Sequence, residues 1–184
     1  MISKKCLDFG RNDLKAFEMP LSQTSEDSVG GVRLVSFEDS VLNFDLLAKN
    51  VCRKYRGGEC CSSCDALYEN NGKFYLIEFK NQGESNINKQ SIKEKAFDSI
   101  GILQSTFNYC ESREELARKL ELIVVYNDKN EERPSFIGLK KRIKNYAKET
   151  KPLFGLDCLS PFYNEIYTVT KEEFEKDIYP KIFG

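Results

Sequence analysis

The stretch CDALYENNGKFYLIEFK, Cys64 to Lys80, restricts the fold of this chain more than any other. Asn71-Gly72 lies between two runs rich in aromatic and branched residues, the strongest local signal for a hairpin closed by a two-residue turn. Residues equidistant from that turn face one another, so Leu67 opposes Leu76 and Asp65 opposes Glu78. Period-two alternation puts Ala66, Tyr68, Tyr75, Ile77 and Phe79 on the other face. Both faces of Phe74 to Phe79 are apolar, which predicts a buried strand, yet that strand ends in Glu78 and Lys80.

Opposed carboxylates have Cβ atoms about 4.5–5.5 Å apart and destabilise a sheet unless positive charge lies between them. Lys80 projects on the face of Glu78, but one ammonium leaves carboxylate oxygens unsatisfied in a partly buried place. A hard divalent cation, Mg²⁺ or Mn²⁺, satisfies them better, because it takes oxygen ligands from one or two carboxylates together with water and phosphate. Asp65 and Glu78 are then expected to hold the metal, while Lys80 orients the attacking water or stabilises developing charge.

The absence of histidine narrows the alternatives. None occurs among the 184 residues, which excludes Ser-His and Cys-His hydrolysis and His-ligated zinc or nuclease chemistry. The 28 Lys+Arg against 29 Asp+Glu give a net charge of −1, so a polyanion has to be met by a local basic patch. Lys140, Lys141, Arg142 and Lys144 form one such patch on a helix expected through Ile137 to Lys148. Lys89, Lys93 and Lys95 form a second, nearer the hairpin. Either patch also reads as a solvated helix face. Tyr55, Phe107, Tyr109 and Tyr163 are of a type that stacks on bases, though core packing is the commoner use.

Seven cysteines in no even framework read as reduced thiols. Cys61-x-x-Cys64 with Cys52 has zinc-knuckle spacing, but no second pair follows. As neighbours on one strand, Cys64 and Asp65 are expected to point to opposite faces. No apolar run reaches the ~18 residues of a membrane span, and none resembles a signal peptide, so a soluble cytoplasmic protein with no membrane partner is expected.

Along the chain, residues 1–33 read as an irregular lead-in. A helix is expected from an N-cap at Ser36, with Phe37, Val41, Phe44, Ala48 and Val51 at helical spacing. After the hairpin, Ile92, Ala96, Ile100, Leu103 and Phe107 mark a second helix, and Leu120 to Tyr126 a buried strand. Glu165 to Thr170 reads as a further strand, and Thr170 with Glu173 as the capping box of a last helix. These elements predict a single α/β domain, a mixed sheet flanked by helices.

An Asp on one strand and Glu78-Phe79-Lys80 on the next, preceded by a helix and followed by a helix and an apolar strand, resembles the PD-(D/E)xK phosphodiesterase, or restriction-endonuclease-like, superfamily. The resemblance implies an αβββαβ core over residues 34–127, with residues 128–184 as C-terminal additions. It further implies a Mg²⁺-dependent (or Mn²⁺-dependent) nuclease acting on nucleic acid, with DNA the first candidate, and a homodimer where two strands are cut. Members often carry another acidic metal ligand on the first helix, and Glu38 is the position that fits. Cys64 stands where the pattern has proline. Two alternatives remain open: a non-catalytic binding or regulatory module on this fold, and a cysteine-metal interaction domain.

Overall fold

Six strands form one mixed sheet in the computed structural model, which describes residues 14–27, 30–55, 62–107, 112–128 and 152–184. In chain order the elements are β1 (Glu18–Pro20), α1 (Leu21–Thr24), β2 (Ser40–Asn43), α2 (Phe44–Tyr55), β3 (Ala66–Asn70) and β4 (Lys73–Lys80). They continue as α3 (Lys89–Phe107), α4 (Arg113–Lys119), β5 (Leu120–Tyr126) and β6 (Glu165–Thr170). A helical tail closes the chain as α5 (Lys171–Glu173), a π-helical turn over Phe174–Ile178, and α6 (Tyr179–Phe183).

The strands lie side by side in chain order, β1 through β4 antiparallel, β5 parallel to β4 and β6 parallel to β5. Asn71 and Gly72 take left-handed φ values of 52° and 78°, and pairing runs from Asn70↔Lys73 to Ala66↔Ile77. The two-residue turn therefore sets the expected register. Parallel pairing of β4 with β5 requires cover on both faces, and it explains why every residue of β5 and six consecutive residues of β4 are buried.

Alternation along the strands sorts the core into two layers. On one face Leu42, Leu67, Leu76, Leu122 and Val124 pack under Phe44, Leu47 and Val51 of α2 and Ile92, Ala96 and Leu103 of α3. On the other, Ala66, Ile77, Phe79, Ile123 and Val125 meet Leu21, Leu34, Val35 and the tail residues Phe174, Ile178 and Ile182. At ~1.5–3 kcal/mol for each fully buried aliphatic or aromatic side chain, these layers are the main source of stability.

Several expectations are corrected. The helix expected from Ser36 is α2, which starts at Phe44 and is capped by Asn43, whose Oδ1 accepts the Leu46 N–H at 2.7 Å. Phe37 and Val41 belong instead to the opposite layer, where Phe37 stacks on Tyr179. Their helical spacing ahead of Phe44 is coincidental, because Phe44, Leu47, Ala48 and Val51 already complete one helical face. Part of the supposed lead-in is ordered: β1 pairs with β2, and a three-residue strand is too short to show periodicity. Helix α4 was unexpected, although Ser112 and Glu115 form a capping box at its start. Helix α2 follows β2, the partner of β3, rather than preceding all three strands of the hairpin sheet. The Ile137 to Lys148 helix lies outside the described residues, as do Lys140, Lys141, Arg142, Lys144, Cys60, Cys61, Tyr109 and the side chains of Tyr55 and Phe107. Among the described residues no helix is long and apolar enough to cross a membrane.

Candidate active site

The carboxylates of Asp65 and Glu78 converge on one cation, and that cation is the ammonium of Lys95. Its Nζ lies 3.1 Å from Asp65 Oδ1, 2.8 Å from Glu78 Oε1 and 3.0 Å from Glu78 Oε2. Lys80 Nζ lies 2.7 Å from the same Glu78 Oε1. Two carboxylates and two ammoniums make the cluster neutral by formal charge. The positive charge expected between the acids is thus supplied from α3 as well as from Lys80.

Each side chain arrives by a separate element. Glu78 and Lys80 share the α2/α3 face at the end of β4, and Glu78 is 1% exposed. Asp65 sits one residue ahead of β3, where ladder pairing has stopped. All of its polar atoms are engaged. Its N–H donates to Ile77 O (3.0 Å), and its carbonyl accepts from Phe44 N (3.0 Å). Its Oδ2 takes the Phe79 N–H at 2.7 Å, so a side-chain oxygen substitutes for a strand carbonyl.

Helix α3 organises the segment that presents Asp65. Positions 95, 98 and 99 lie along one stripe of a helix. Asp98 accepts the Ser62 N–H (3.2 Å), the buried Ser99 hydroxyl accepts the Cys64 N–H (2.9 Å), and Lys95 reaches Asp65. From α2, Asp45 accepts from the Ser63 hydroxyl at 3.1 Å. α3 is itself fixed beside Lys95, because the buried Tyr163 hydroxyl donates to Ala96 O at 2.6 Å. Tyr163 is therefore core, and burial raises its phenol well above the ordinary range. Past Lys80, the Asn127 N–H bonds the carbonyls of Lys80 and Gln82, and its side-chain amide donates to Asn81.

Electrostatics follow from this packing. Burial, and then the neighbouring Asp65, push the Glu78 carboxyl up to about 7 against the pull of Lys95 and Lys80. Burial works against the Lys95 ammonium, but Glu78 and Asp65 outweigh it and hold that group above the ordinary lysine value. Glu78 Oε1 is buried and receives no aligned hydrogen bond, although two ammoniums lie within ion-pair distance of it.

The other predicted residues are placed as follows. The carboxylate of Glu38 accepts from Ser22 of α1 at 2.9 Å, between Phe37 and Asp39, which both engage Tyr179 of the tail. Among the described residues no three His, Cys, Asp or Glu side chains group to hold a metal, so Glu38 does not complete a triad with Asp65 and Glu78. Lys89 and Lys93 lie on α3 with Lys95. The Lys93 Nζ is 3.1 Å from the position a Cβ would take on Gly155, which has φ +67°. Cys52 and Cys64 are buried and Cys158 is exposed, none of them in a disulfide. Cys64 does not point away from Asp65: both precede β3, so strand alternation does not reach them, and Cys64 lies in the layer under α3. Its thiol is raised by burial and then by Glu78.

Lys95, which the sequence presents only as one lysine of a basic patch, lies between the two acids. The available signal was its place at the flank of the Ile92–Ala96 face, which reads equally as a solvated lysine beside the core.

No family model, curated protein or solved structure matches this chain.

Proposed function

We propose that this chain is a metal-dependent phosphodiesterase acting on nucleic acid, with a restriction-endonuclease-like core in which β2 is placed ahead of α2. The observation that supports it is the convergence of Asp65 and Glu78 on one cation position with Lys80 alongside. The residues fit Mg²⁺ or Mn²⁺. Two carboxylates that already converge on one cation position suit an ion that takes oxygen ligands, and the Asp65 side chain, 21% exposed, leaves one side of that position within reach of water.

Asp65 Oδ1 and Glu78 are the groups that would hold the metal, which, when bound, neutralises phosphate charge and supplies a readily ionised water. Burial fixes Glu78, and the bond from Phe79 fixes Asp65, so neither has to reorganise for reaction. Lys80 stays next to Glu78 and is placed to orient water or meet charge on a phosphate oxygen. Lys89 and Lys93 on α3, and Lys140, Lys141, Arg142 and Lys144 further along, are proposed backbone contacts to DNA or RNA.

A second reading is favoured by Lys95. Its ammonium already balances the acids, so the fold is satisfied with no metal, as a non-catalytic binding module would be. Incubation of plasmid and single-stranded DNA with wild type and Lys80→Ala in Mg²⁺ or Mn²⁺ separates the two. Metal-dependent cleavage lost in Lys80→Ala supports the phosphodiesterase; saturable nucleic-acid binding with no cleavage by wild type supports the module.

A further inference from the structure

Resting on the phosphodiesterase reading, we propose that Lys95 is the resident counter-cation of the Asp65–Glu78 pair, and that a divalent metal enters only by exchanging with its ammonium. Three observations carry this. First, the Lys95 Nζ is bound by three oxygens from both acids, at 2.8 to 3.1 Å, which is the position a metal shared by the two carboxylates must take. Two cations cannot occupy it together.

Second, the acids have no spare arrangement. Asp65 Oδ2 is committed to the Phe79 N–H, so Oδ1, the oxygen Lys95 holds, is the one left for a metal. Glu78 Oε1 is shared by two ammoniums, so it keeps Lys80 at 2.7 Å when Lys95 gives way to a metal.

Third, the partners differ in mobility. Glu78 is enclosed at the end of a strand, whereas the Lys95 side chain is 22% exposed on a four-carbon stem and can withdraw toward solvent. Once displaced, its ammonium has lost the oxygens of Asp65 and Glu78, and a phosphate is a partner that satisfies it. Metal and nucleic-acid phosphate therefore bind cooperatively, and metal alone binds weakly.

The test uses Mn²⁺ calorimetry on wild type, Lys95→Met and Lys95→Gln. In parallel, limited acetylation of wild-type amines is mapped to Lys95 by mass spectrometry with and without Mn²⁺. Exchange predicts at least about tenfold tighter Mn²⁺ binding in the variants and a several-fold rise in Lys95 acetylation as Mn²⁺ saturates. If either variant fails to fold, the wild-type acetylation result decides alone. Equal Mn²⁺ affinity in all three proteins with unchanged Lys95 acetylation overturns the exchange and leaves the metal reading intact. No saturable Mn²⁺ binding in any of them overturns both.

Discussion

Lys95 Nζ lies 2.8 Å from Oε1 and 3.0 Å from Oε2 of Glu78, an ion pair that joins the middle of α3 to the end of β4. Through it, the helix that follows the hairpin neutralises the acid that the hairpin buries. Removing one partner of such a pair leaves an uncompensated buried charge, which is costlier than never having had the pair. Glu78 is therefore the most pH-sensitive element of the site.

Because the folded Glu78 carboxyl sits at about 7, above its ordinary 4.5, its contribution to stability is complete below about pH 4.5 and is lost as the pH rises through 7. The change amounts to roughly 3 kcal/mol. The raised value of Lys95 contributes stability that persists through this window, since it is lost only above the ordinary lysine range. Urea unfolding at intervals from about pH 5 to 8 should show wild-type stability falling, and Glu78→Gln should flatten that slope. An unchanged slope in Glu78→Gln refutes the assignment.

Asp65 has two separable roles, and Asn and Ala substitutions divide them. Asp65→Asn keeps an oxygen for the Phe79 N–H and should unfold within about 1 kcal/mol of wild type, whereas Asp65→Ala should lose about 1–3 kcal/mol. Both should abolish Mn²⁺ binding by calorimetry. Wild-type affinity in Asp65→Asn contradicts its role as a ligand.

Ser99 acts on the site through the backbone. Ser99→Ala leaves the buried Cys64 N–H without its acceptor, at a cost of about 1–3 kcal/mol, and loosens the segment that presents Asp65. Urea midpoints and Mn²⁺ affinity should fall together. A stable Ser99→Ala with unaltered affinity shows that α3 does not position Asp65.

The hairpin turn tests register apart from chemistry. A Cβ on Gly72 meets nothing within 4 Å, so the penalty of Gly72→Ala comes from its φ of 78° alone, about 1 kcal/mol. Thermal unfolding should report that loss, with Mn²⁺ affinity unchanged. A loss of affinity instead shows that the register across Asp65 and Glu78 depends on this turn.

The elements legible in the sequence are those whose determinants are local. Asn71-Gly72 sets the pairing of β3 with β4 through turn geometry, the apolar run of β5 marks its burial, and Thr170 with Glu173 caps the tail. Misplacement of the first helix has a local cause too: Phe37 and Val41 imitate its period while packing on the other face. β1 was illegible because three residues carry no period, and its pairing with β2 is a tertiary contact.

For the candidate site, the turn at Asn71-Gly72 was enough to bring Asp65 to the open end of the hairpin near Glu78 and Lys80, although Asp65 lies one residue past the last ladder pair, Ala66↔Ile77. The sequence also determined that no histidine takes part. Which cation lies between the acids was settled by helix docking. The reach of Lys95 depends on how α3 docks on the sheet through Ile92, Ala96 and Leu103, and on Ser99 and Tyr163 holding it there. Docking of a helix on a sheet is set by the shape of both surfaces rather than by spacing along either, so the residue at the centre of the site was the one its own neighbours in sequence could not single out.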